Sequence, residues 1–170
     1  MRRVLYSVAM SLDGYIAGPQ GEYDWIVMDP DIDFGALFKR FDAVLMGRKT
    51  YEVARRQGGG AMPGMTAVVF SRRLRPADCP DVTVSDDPKA VIAALKAQPG
   101  KDIWLFGGGE LFRSLLDLRL VDAVEIVVVP VLLGGGLPML PAPAMRSTLR
   151  LASSRVYEKT GTVMLEYTVV

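Results

Sequence analysis

The chain has 170 residues, half of them apolar, and a net charge of +1 from 20 basic and 19 acidic side chains. This length suits one domain with a substantial core, and the balanced charge, without a dense basic tract, argues against nucleic acid or a membrane surface as the partner. The lack of histidine and the single cysteine, Cys79, argue against a metal site, a Ser-His-Asp hydrolase and an internal disulfide. We therefore expect a metal-free protein of the cytoplasm.

The first third of the chain predicts a strand, a loop and a helix, in that order. An apolar run predicts a strand over Val4–Ser11, and a turn at Asp13-Gly14 follows it. Residues 17–30 carry glycine and proline and are expected to form an irregular loop. Apolar residues at helical spacing predict a helix over residues 31–41, with Asp31 as its N-cap.

Strands and helices continue to alternate through the middle of the chain. The patterns predict strands over residues 43–46, Thr66–Phe70, 82–84 and 103–106, and helices over Arg48–Arg56, 87–97 and 110–118. Because strands that alternate with helices usually pair in parallel, we expect a mainly parallel central sheet that is covered on both faces.

The last third predicts strands without intervening helices. A long strand over residues 122–130 is followed by a stretch rich in glycine and proline. Two final strands, over residues 149–158 and 162–169, are joined by Lys159-Thr160-Gly161 and form a predicted hairpin. The hairpin adds antiparallel strands at one edge, and residues 1–170 are expected to form a single α/β domain.

A glycine-rich turn is the first candidate site. Residues 106–112 (Phe-Gly-Gly-Gly-Glu-Leu-Phe) follow a predicted strand and open a helix, so that backbone N–H groups and the positive helix end would face a bound anion. Three glycines also allow a phosphate to approach the backbone closely. The alternative is a tight turn without a ligand, and Glu110 complicates the first interpretation because a carboxylate repels a pyrophosphate.

Basic residues follow two other predicted strands. In Gly47-Arg48-Lys49-Thr50 two cations begin a helix, where the helix dipole disfavours them, and a bound polyanion would explain their position. The alternative is a solvated basic turn. Ser71-Arg72-Arg73 follows the strand over Thr66–Phe70 in the same way. Three such strand ends predict a nucleotide cofactor across the carboxyl edge of the sheet, and arginine there suits the extra ribose phosphate of NADP.

Several segments together resemble the dihydrofolate-reductase-like superfamily. Residues 46–52 (Met-Gly-Arg-Lys-Thr-Tyr-Glu) and 106–112 resemble two cofactor motifs of dihydrofolate reductases. Residues 11–17 (Ser-Leu-Asp-Gly-Tyr-Ile-Ala), and residues 120–124 leading to 130–136, are more similar to the reductase domain of the bifunctional riboflavin-biosynthesis deaminase/reductase. The resemblance spans nearly the whole chain. It implies a three-layer dihydrofolate-reductase-like fold with a central sheet of about eight strands and NADPH along one edge.

The same resemblance implies which residues hold the cofactor and the substrate. The implied cofactor-binding residues are Ala9, Ile16, Gly47, Arg48, Lys49, Thr50, Ser71, Arg72, Phe106, Gly108, Gly109, Glu110 and Leu111. The implied substrate contacts are Trp25, Phe34 and Phe112, and Asp13 is the best acidic candidate near the hydride path. The alternatives are a tryptophan that fills the core and an aspartate that serves only the Asp-Gly turn.

The first predicted helix departs from the folate enzymes at one position. Dihydrofolate reductases carry a carboxylate four residues before a motif that resembles Phe38-Lys39-Arg40, and that position is Phe34 here. Asp33 is adjacent but would point about 100° away on a helix. The missing carboxylate argues against a folate reductase and favours the riboflavin-type enzyme.

The resemblance therefore implies an NADPH-dependent reductase that transfers hydride to a small heterocycle, similar to 5-amino-6-(5-phosphoribosylamino)uracil reductase. One alternative is a dihydrofolate reductase with a displaced acidic residue. Another is a non-catalytic NADP(H)-binding module.

An excess of apolar residues also predicts self-association. The uncharged run over residues 126–129 and the Gly/Pro-interrupted stretch beyond it exceed what a small domain leaves in water. Because the riboflavin-type relatives are similar in associating through their late strands, we expect a symmetric homodimer built on the C-terminal part of the sheet. The alternative is that residues 126–129 form a central strand buried on both faces.

Overall fold

An eight-stranded sheet runs through the molecule, and helices pack on both of its faces. The computed structural model describes residues 1–60 and 62–170. Its strands are β1 (Val4–Ser11), β2 (Tyr15–Ala17), β3 (Phe41–Gly47), β4 (Thr66–Phe70), β5 (Thr83–Ser85), β6 (Asp102–Gly107), β7 (Ala123–Val129), β8 (Leu137–Pro138), β9 (Leu149–Tyr157) and β10 (Thr162–Val169). Its helices are α1 (Phe34–Phe38), α2 (Arg48–Arg56), α3 (Pro88–Ala97) and α4 (Gly109–Asp117), with a 3₁₀ turn at Pro76–Asp78.

The strands of the sheet lie in the order β5-β4-β3-β6-β1-β7-β10-β9. The first six run parallel, whereas β10 pairs antiparallel with both β7 and β9. This arrangement confirms the predicted mainly parallel sheet with an antiparallel C-terminal hairpin. Because β3, β6 and β1 are neighbours, the turns that follow them meet at one edge of the sheet.

Alternation along β1 divides the core into two layers. Val4 and Tyr6 belong to the layer that contains Phe112 of α4, whereas Leu5 belongs to the layer that contains Tyr51 of α2. Side chains on both faces of β1 are thus buried at its start, which explains the continuous apolar run there.

The helix α1 is shorter than predicted. It spans Phe34–Phe38 instead of residues 31–41, and its N-cap is Asp33, whose carboxylate accepts a hydrogen bond from the first turn at 2.9 Å. Asp31, the predicted cap, accepts a hydrogen bond from Lys159 Nζ in the hairpin turn at 2.7 Å instead. A partner distant in sequence thus engages Asp31, and the N-cap lies two residues later than predicted.

A small ribbon of β2 and β8 lies beside the main sheet. The sequence predicts neither strand: Ala17 of β2 is expected to begin an irregular loop, and β8 lies within the predicted glycine- and proline-rich stretch. Strands of three and two residues are too short to show a periodic pattern. The ribbon is tied to the turn after β1, because Met139 N donates to Gly14 O at 3.0 Å.

The position of β7 decides between the two interpretations of residues 126–129. Because β7 lies between β1 and β10, Ile126 and Val129 are buried within the chain itself, as the central-strand alternative expects. Exposed apolar side chains lie on the edge strand β9 instead, where Leu151 and Val156 are 54% and 63% exposed. The homodimer stays a prediction, and the strand that could form it is β9.

In the described ranges 1–60 and 62–170, no helix is long and apolar enough to cross a membrane. Within the same residues, no group of three or more histidine, cysteine, aspartate or glutamate side chains could hold a metal ion. Cys79 is buried and unbridged.

Candidate functional site

A groove of about 730 Å³ opens at the carboxyl edge of the parallel strands. Its walls come from the turns after β3, β4, β5 and β6, together with parts of the ribbon. The predicted cofactor residues that line it are Ile16, Gly47, Arg48, Lys49, Thr50, Ser71, Arg72, Gly108, Gly109, Glu110 and Leu111. Ala9 and Phe106 lie outside this lining. The fold thus gathers most of the predicted set, and the role of these residues in binding stays a prediction.

Two helices begin at this groove without a side-chain cap. The helix α2 starts after Gly47 and α4 starts after Gly108, and neither N-cap residue offers a side-chain acceptor. Their first backbone N–H groups are therefore available to a ligand. Since the dipole adds partial positive charge at each start, the groove suits a group with several negative charges.

Crowding at one position and backbone conformation at another explain two of the three glycines in the turn before α4. A Cβ on Gly109 would lie 2.5 Å from the carbonyl oxygen of Pro138, and Gly107 has a φ of 133°, which side chains disfavour. A Cβ on Gly108 would instead meet Thr50 Oγ1 at an ordinary 3.6 Å. The fold itself thus requires glycine at positions 107 and 109, whereas it leaves room for a Cβ at position 108.

Two predicted cations of the groove already pair with acids. Arg48 Nη1 contacts both carboxylate oxygens of Glu52, at 2.8 and 3.0 Å. Lys49 Nζ lies 3.7 Å from Glu110 Oε1, and both side chains are largely exposed. An exposed pair of this kind is weak, so Lys49 can exchange Glu110 for a ligand phosphate at little cost.

Arg72 and Arg73 line the groove and form no ion pair among the residues described. Ser71 Oγ caps their turn by accepting hydrogen bonds from Arg73 N and Leu74 N, each at 3.0 Å. Asp86 also lines the groove, and sequence reasoning missed it. Asp86 directly follows the strand β5, just as the other groove residues directly follow their strands. This position at a strand end is the sequence signal that could have identified it.

Asp13 holds two loops together. Its carboxylate accepts hydrogen bonds from Ser11 Oγ at 2.7 Å, from Leu133 N at 3.1 Å and from Gly134 N at 2.7 Å. The Ser11 bond, with help from the two backbone bonds, lowers the pKa of Asp13. The group is therefore an anion at neutral pH that fixes the turn after β1. These contacts favour the turn interpretation, and a role in proton transfer stays a prediction.

An aromatic row leads from α1 to the strand β6. Phe34 lies 6.3 Å from Phe38, Phe38 lies 5.3 Å from Trp104, and Trp104 lies 4.9 Å from Phe106, as measured between ring centroids. Phe34 and Phe106 are partly exposed. A row of aromatic rings of this kind can stack on a planar ring system.

The other two predicted substrate contacts lie elsewhere. Phe112 is 2% exposed and stacks on Tyr6 at 4.0 Å, because α4 directs it into the core. Its burial gives no support to a substrate contact. Trp25 is partly exposed and donates through Nε1 to Glu22 O at 3.2 Å within its own loop. Neither lines the groove, and a role for either in binding substrate remains a prediction.

One row of side chains across the sheet is only partly covered on the face that carries α1. Ala9 of β1 pairs with Val127 of β7, which pairs with Met164 of β10. All three are partly exposed. Phe106 on the neighbouring strand β6 is partly exposed as well, and it follows Leu105, the partner of Tyr6, so that it lies level with Ser7, two residues before Ala9. These four residues are called the open row below. The open row contains both predicted cofactor residues that lie outside the groove.

Comparison with known proteins places the chain in a family. The model of the RibD C-terminal domain matches residues 2–163. The uncharacterized protein YyaP of Bacillus subtilis strain 168 is 32% identical over 178 residues, which cover 98% of this chain and 94% of that protein.

Solved structures agree with the architecture. A putative riboflavin biosynthesis protein from Shewanella sp. PV-4 is similar with a TM-score of 0.84 and 25% identity, over 99% of both chains. Dihydrofolate reductase from Enterococcus faecalis, solved with NADP(H) and RAB-propyl, has a TM-score of 0.71 and 17% identity, over 98% of this chain and 96% of that one. The dihydrofolate-reductase-like fold predicted from the sequence is thereby confirmed.

Proposed function

The chain belongs to the RibD C-terminal domain family, and from this premise we propose that it is an NADPH-dependent reductase of a small nitrogen heterocycle, similar to 5-amino-6-(5-phosphoribosylamino)uracil reductase. The observation that carries the proposal is the groove at the carboxyl edge of the sheet. Two uncapped helix starts meet there with two arginines, Arg72 and Arg73, that form no ion pair within residues 1–60 and 62–170.

The donor set of the groove fits the phosphates of NADPH. The N–H groups at the starts of α2 and α4 suit the pyrophosphate, while Arg72, Arg73 and the Ser71 hydroxyl suit the 2′-phosphate of the ribose. Bound NADPH supplies a hydride, and the protein supplies position. Ala9 and Phe106, which belong to the open row, would hold the nicotinamide end.

No side chain on α1 is an acid that could donate the proton that accompanies the hydride. Phe34 occupies the position of the folate-reductase carboxylate, and Asp33 is engaged as the helix cap. Asp13 is held as an anion by its three donors. Water is therefore the proposed proton source. The same observations argue against a folate reductase whose acid is displaced to a neighbouring position of α1.

A turnover assay separates the three alternatives. With 5-amino-6-(5-phosphoribosylamino)uracil the NADPH absorbance should fall, and with dihydrofolate it should stay nearly constant. Faster turnover of dihydrofolate would favour the folate enzyme. Tight NADPH binding with no oxidation by either substrate would favour the non-catalytic module.

We further propose a cytoplasmic homodimer that associates through β9. Val156 and Leu151 expose apolar surface on an edge strand, which also offers unpaired backbone groups to a second copy. We expect light scattering at micromolar concentration to give twice the 18.5 kDa chain mass, and Val156→Lys to give a monomer. Leu132→Lys, at an exposed loop position, is the control. A wild-type mass near that of one chain at every concentration would contradict the dimer.

A further inference from the structure

A buried polar cluster lies next to the open row, and the cofactor groove does not account for it. Ser7 and Glu125 pair across β1 and β7, one two-residue repeat or about 7 Å before Ala9 and Val127 on the same face. Ser7 Oγ donates to Glu125 Oε1 at 2.7 Å, and Arg40 Nη1 donates to Glu125 Oε2 at 2.8 Å. Glu125 is 2% exposed.

Stability is a weak reason for such a cluster. Removing a carboxylate and a guanidinium from water is costly, and well-packed apolar residues of similar volume often serve a fold as well or better. Glu125 nevertheless interrupts the otherwise apolar strand β7. Trp104 Nε1 also donates to Ser7 O at 3.1 Å. Side chains from three strands, together with Arg40 in the turn between α1 and β3, therefore hold the cluster in one geometry.

The order of hydrogen-bonding groups in the cluster matches one kind of heterocycle edge. The Glu125 carboxylate is an acceptor, and it lies between two donors, the Ser7 hydroxyl and the Arg40 guanidinium. The Arg40 side chain is 32% exposed, and its pair with Glu125 uses only Nη1, which leaves other N–H donors. An imide edge, C(=O)–N(H)–C(=O), has the complementary order of one donor between two acceptors.

We propose that Glu125, Ser7 and Arg40 recognise the imide edge of a pyrimidinedione ring that lies over the open row. The ring N–H donates to Glu125, while Ser7 turns its hydroxyl hydrogen to one flanking carbonyl and Arg40 donates to the other. The aromatic row beside the cluster stacks on the ring face. A diaminopyrimidine edge, which lacks the two carbonyls, is rejected because the Ser7 and Arg40 donors lose their acceptors. The inference rests on the proposed function and names the part of the substrate that is read.

A variant pair tests the role of the carboxylate. Glu125→Gln keeps the shape of the side chain and removes its charge. Glu166→Gln is the matched control, because Glu166 of β10 lies directly opposite Glu125 but pairs with Arg3. We expect Glu125→Gln to raise the KM for the uracil substrate about tenfold or more and to leave the Kd for NADPH unchanged. Glu166→Gln should change the KM less than about twofold. An unchanged KM in Glu125→Gln would overturn the inference and leave the proposed function standing.

A binding experiment tests the inference without hydride transfer. In an NMR titration, 6-aminouracil should shift the backbone amide signals of Ala9 and Val127, and 2,4-diaminopyrimidine should not. Glu125→Gln should abolish the response to 6-aminouracil, and Glu166→Gln should retain it. No response of the wild type to 6-aminouracil, or equal responses to both probes, would overturn the inference. A Glu125-dependent response in a protein that never oxidises NADPH would instead overturn the proposed function.

Should Glu125→Gln fail to fold, Ser7→Ala decides the question, because it leaves the Glu125–Arg40 pair in place. It should raise the KM for the uracil substrate about fivefold to tenfold with little change in NADPH affinity. Wild-type values of both constants in Ser7→Ala would overturn the inference.

Discussion

The groove at the carboxyl edge and the polar cluster of Ser7, Arg40 and Glu125 lie on the same sheet, but the sequence encodes them differently. The groove is built from turns in which glycine or basic residues directly follow a strand, as in the segment over residues 106–112. The cluster is built from single polar residues set in apolar strands, and Glu125 meets Ser7 and Arg40 from 118 and 85 residues away. Local motifs thus encode the groove proposed to hold the cofactor, whereas long-range pairing creates the surface proposed to recognise the substrate.

The largest effect is expected at Gly109, where both the fold and the groove depend on the absence of a side chain. Gly109→Val would place a side chain within 2.5 Å of the Pro138 carbonyl oxygen, so the ribbon must move away from the start of α4. We expect a loss of about 1–3 kcal/mol in the free energy of unfolding and no measurable NADPH binding.

Gly108→Ala is the matched control for that change. Since its Cβ would meet Thr50 Oγ1 at 3.6 Å, the free energy of unfolding should stay near that of the wild type, while NADPH affinity falls if a phosphate approaches there. Chemical denaturation and a cofactor titration check both variants. A wild-type free energy of unfolding in Gly109→Val would contradict the contrast between the two positions, and wild-type NADPH affinity in that variant would contradict cofactor binding at the start of α4.

Several parts of this molecule follow from its sequence because neighbouring residues alone specify them. The helix α2 and the strand β4 have the predicted bounds, since a basic turn and a β-branched run mark them locally. The start of α1 does not follow, because Asp31 and Asp33 are both good N-caps and only the pairing of Asp31 with Lys159 in the folded chain decides between them. Glu125 gave no signal, because one acid in an apolar strand has no motif.

A smaller effect is expected when the arginines of the groove are removed. The double variant Arg72→Ala/Arg73→Ala loses the charged contacts to the 2′-phosphate, so its NADPH affinity should fall by about 10- to 100-fold. Its NADH affinity should remain the same, since NADH has no such phosphate. Arg75→Ala, which removes an exposed arginine paired with Asp78 at 2.9 Å, is the control. Equal losses for both cofactors would indicate a general disturbance of the groove.

The smallest effect is expected at Asp13, which belongs to neither region and fixes the turn after β1. Because the Ser11 hydroxyl and two backbone N–H groups lower its pKa, the carboxylate stabilises the fold above its unfolded pKa of about 3.9. That contribution is lost as the pH falls through the lower folded pKa.

The Tm of Asp13→Ala should therefore be lower than that of the wild type at neutral pH, and the difference should shrink as the pH falls below about 4. Thermal melts at several pH values measure it. A difference that grows on acidification would contradict the assignment of Asp13 as a bound carboxylate. Complete loss of turnover in a folded Asp13→Ala protein would instead support the catalytic interpretation.

The central claim is that the groove at the carboxyl edge holds NADPH in preference to NADH. Calorimetric titration of the wild-type protein with each cofactor tests it most directly. The contacts of Arg72, Arg73 and Ser71 predict NADPH binding that is at least about tenfold tighter than NADH binding. Equal affinities would contradict the assignment of these residues to the 2′-phosphate, and the absence of binding by either cofactor would contradict the reductase itself.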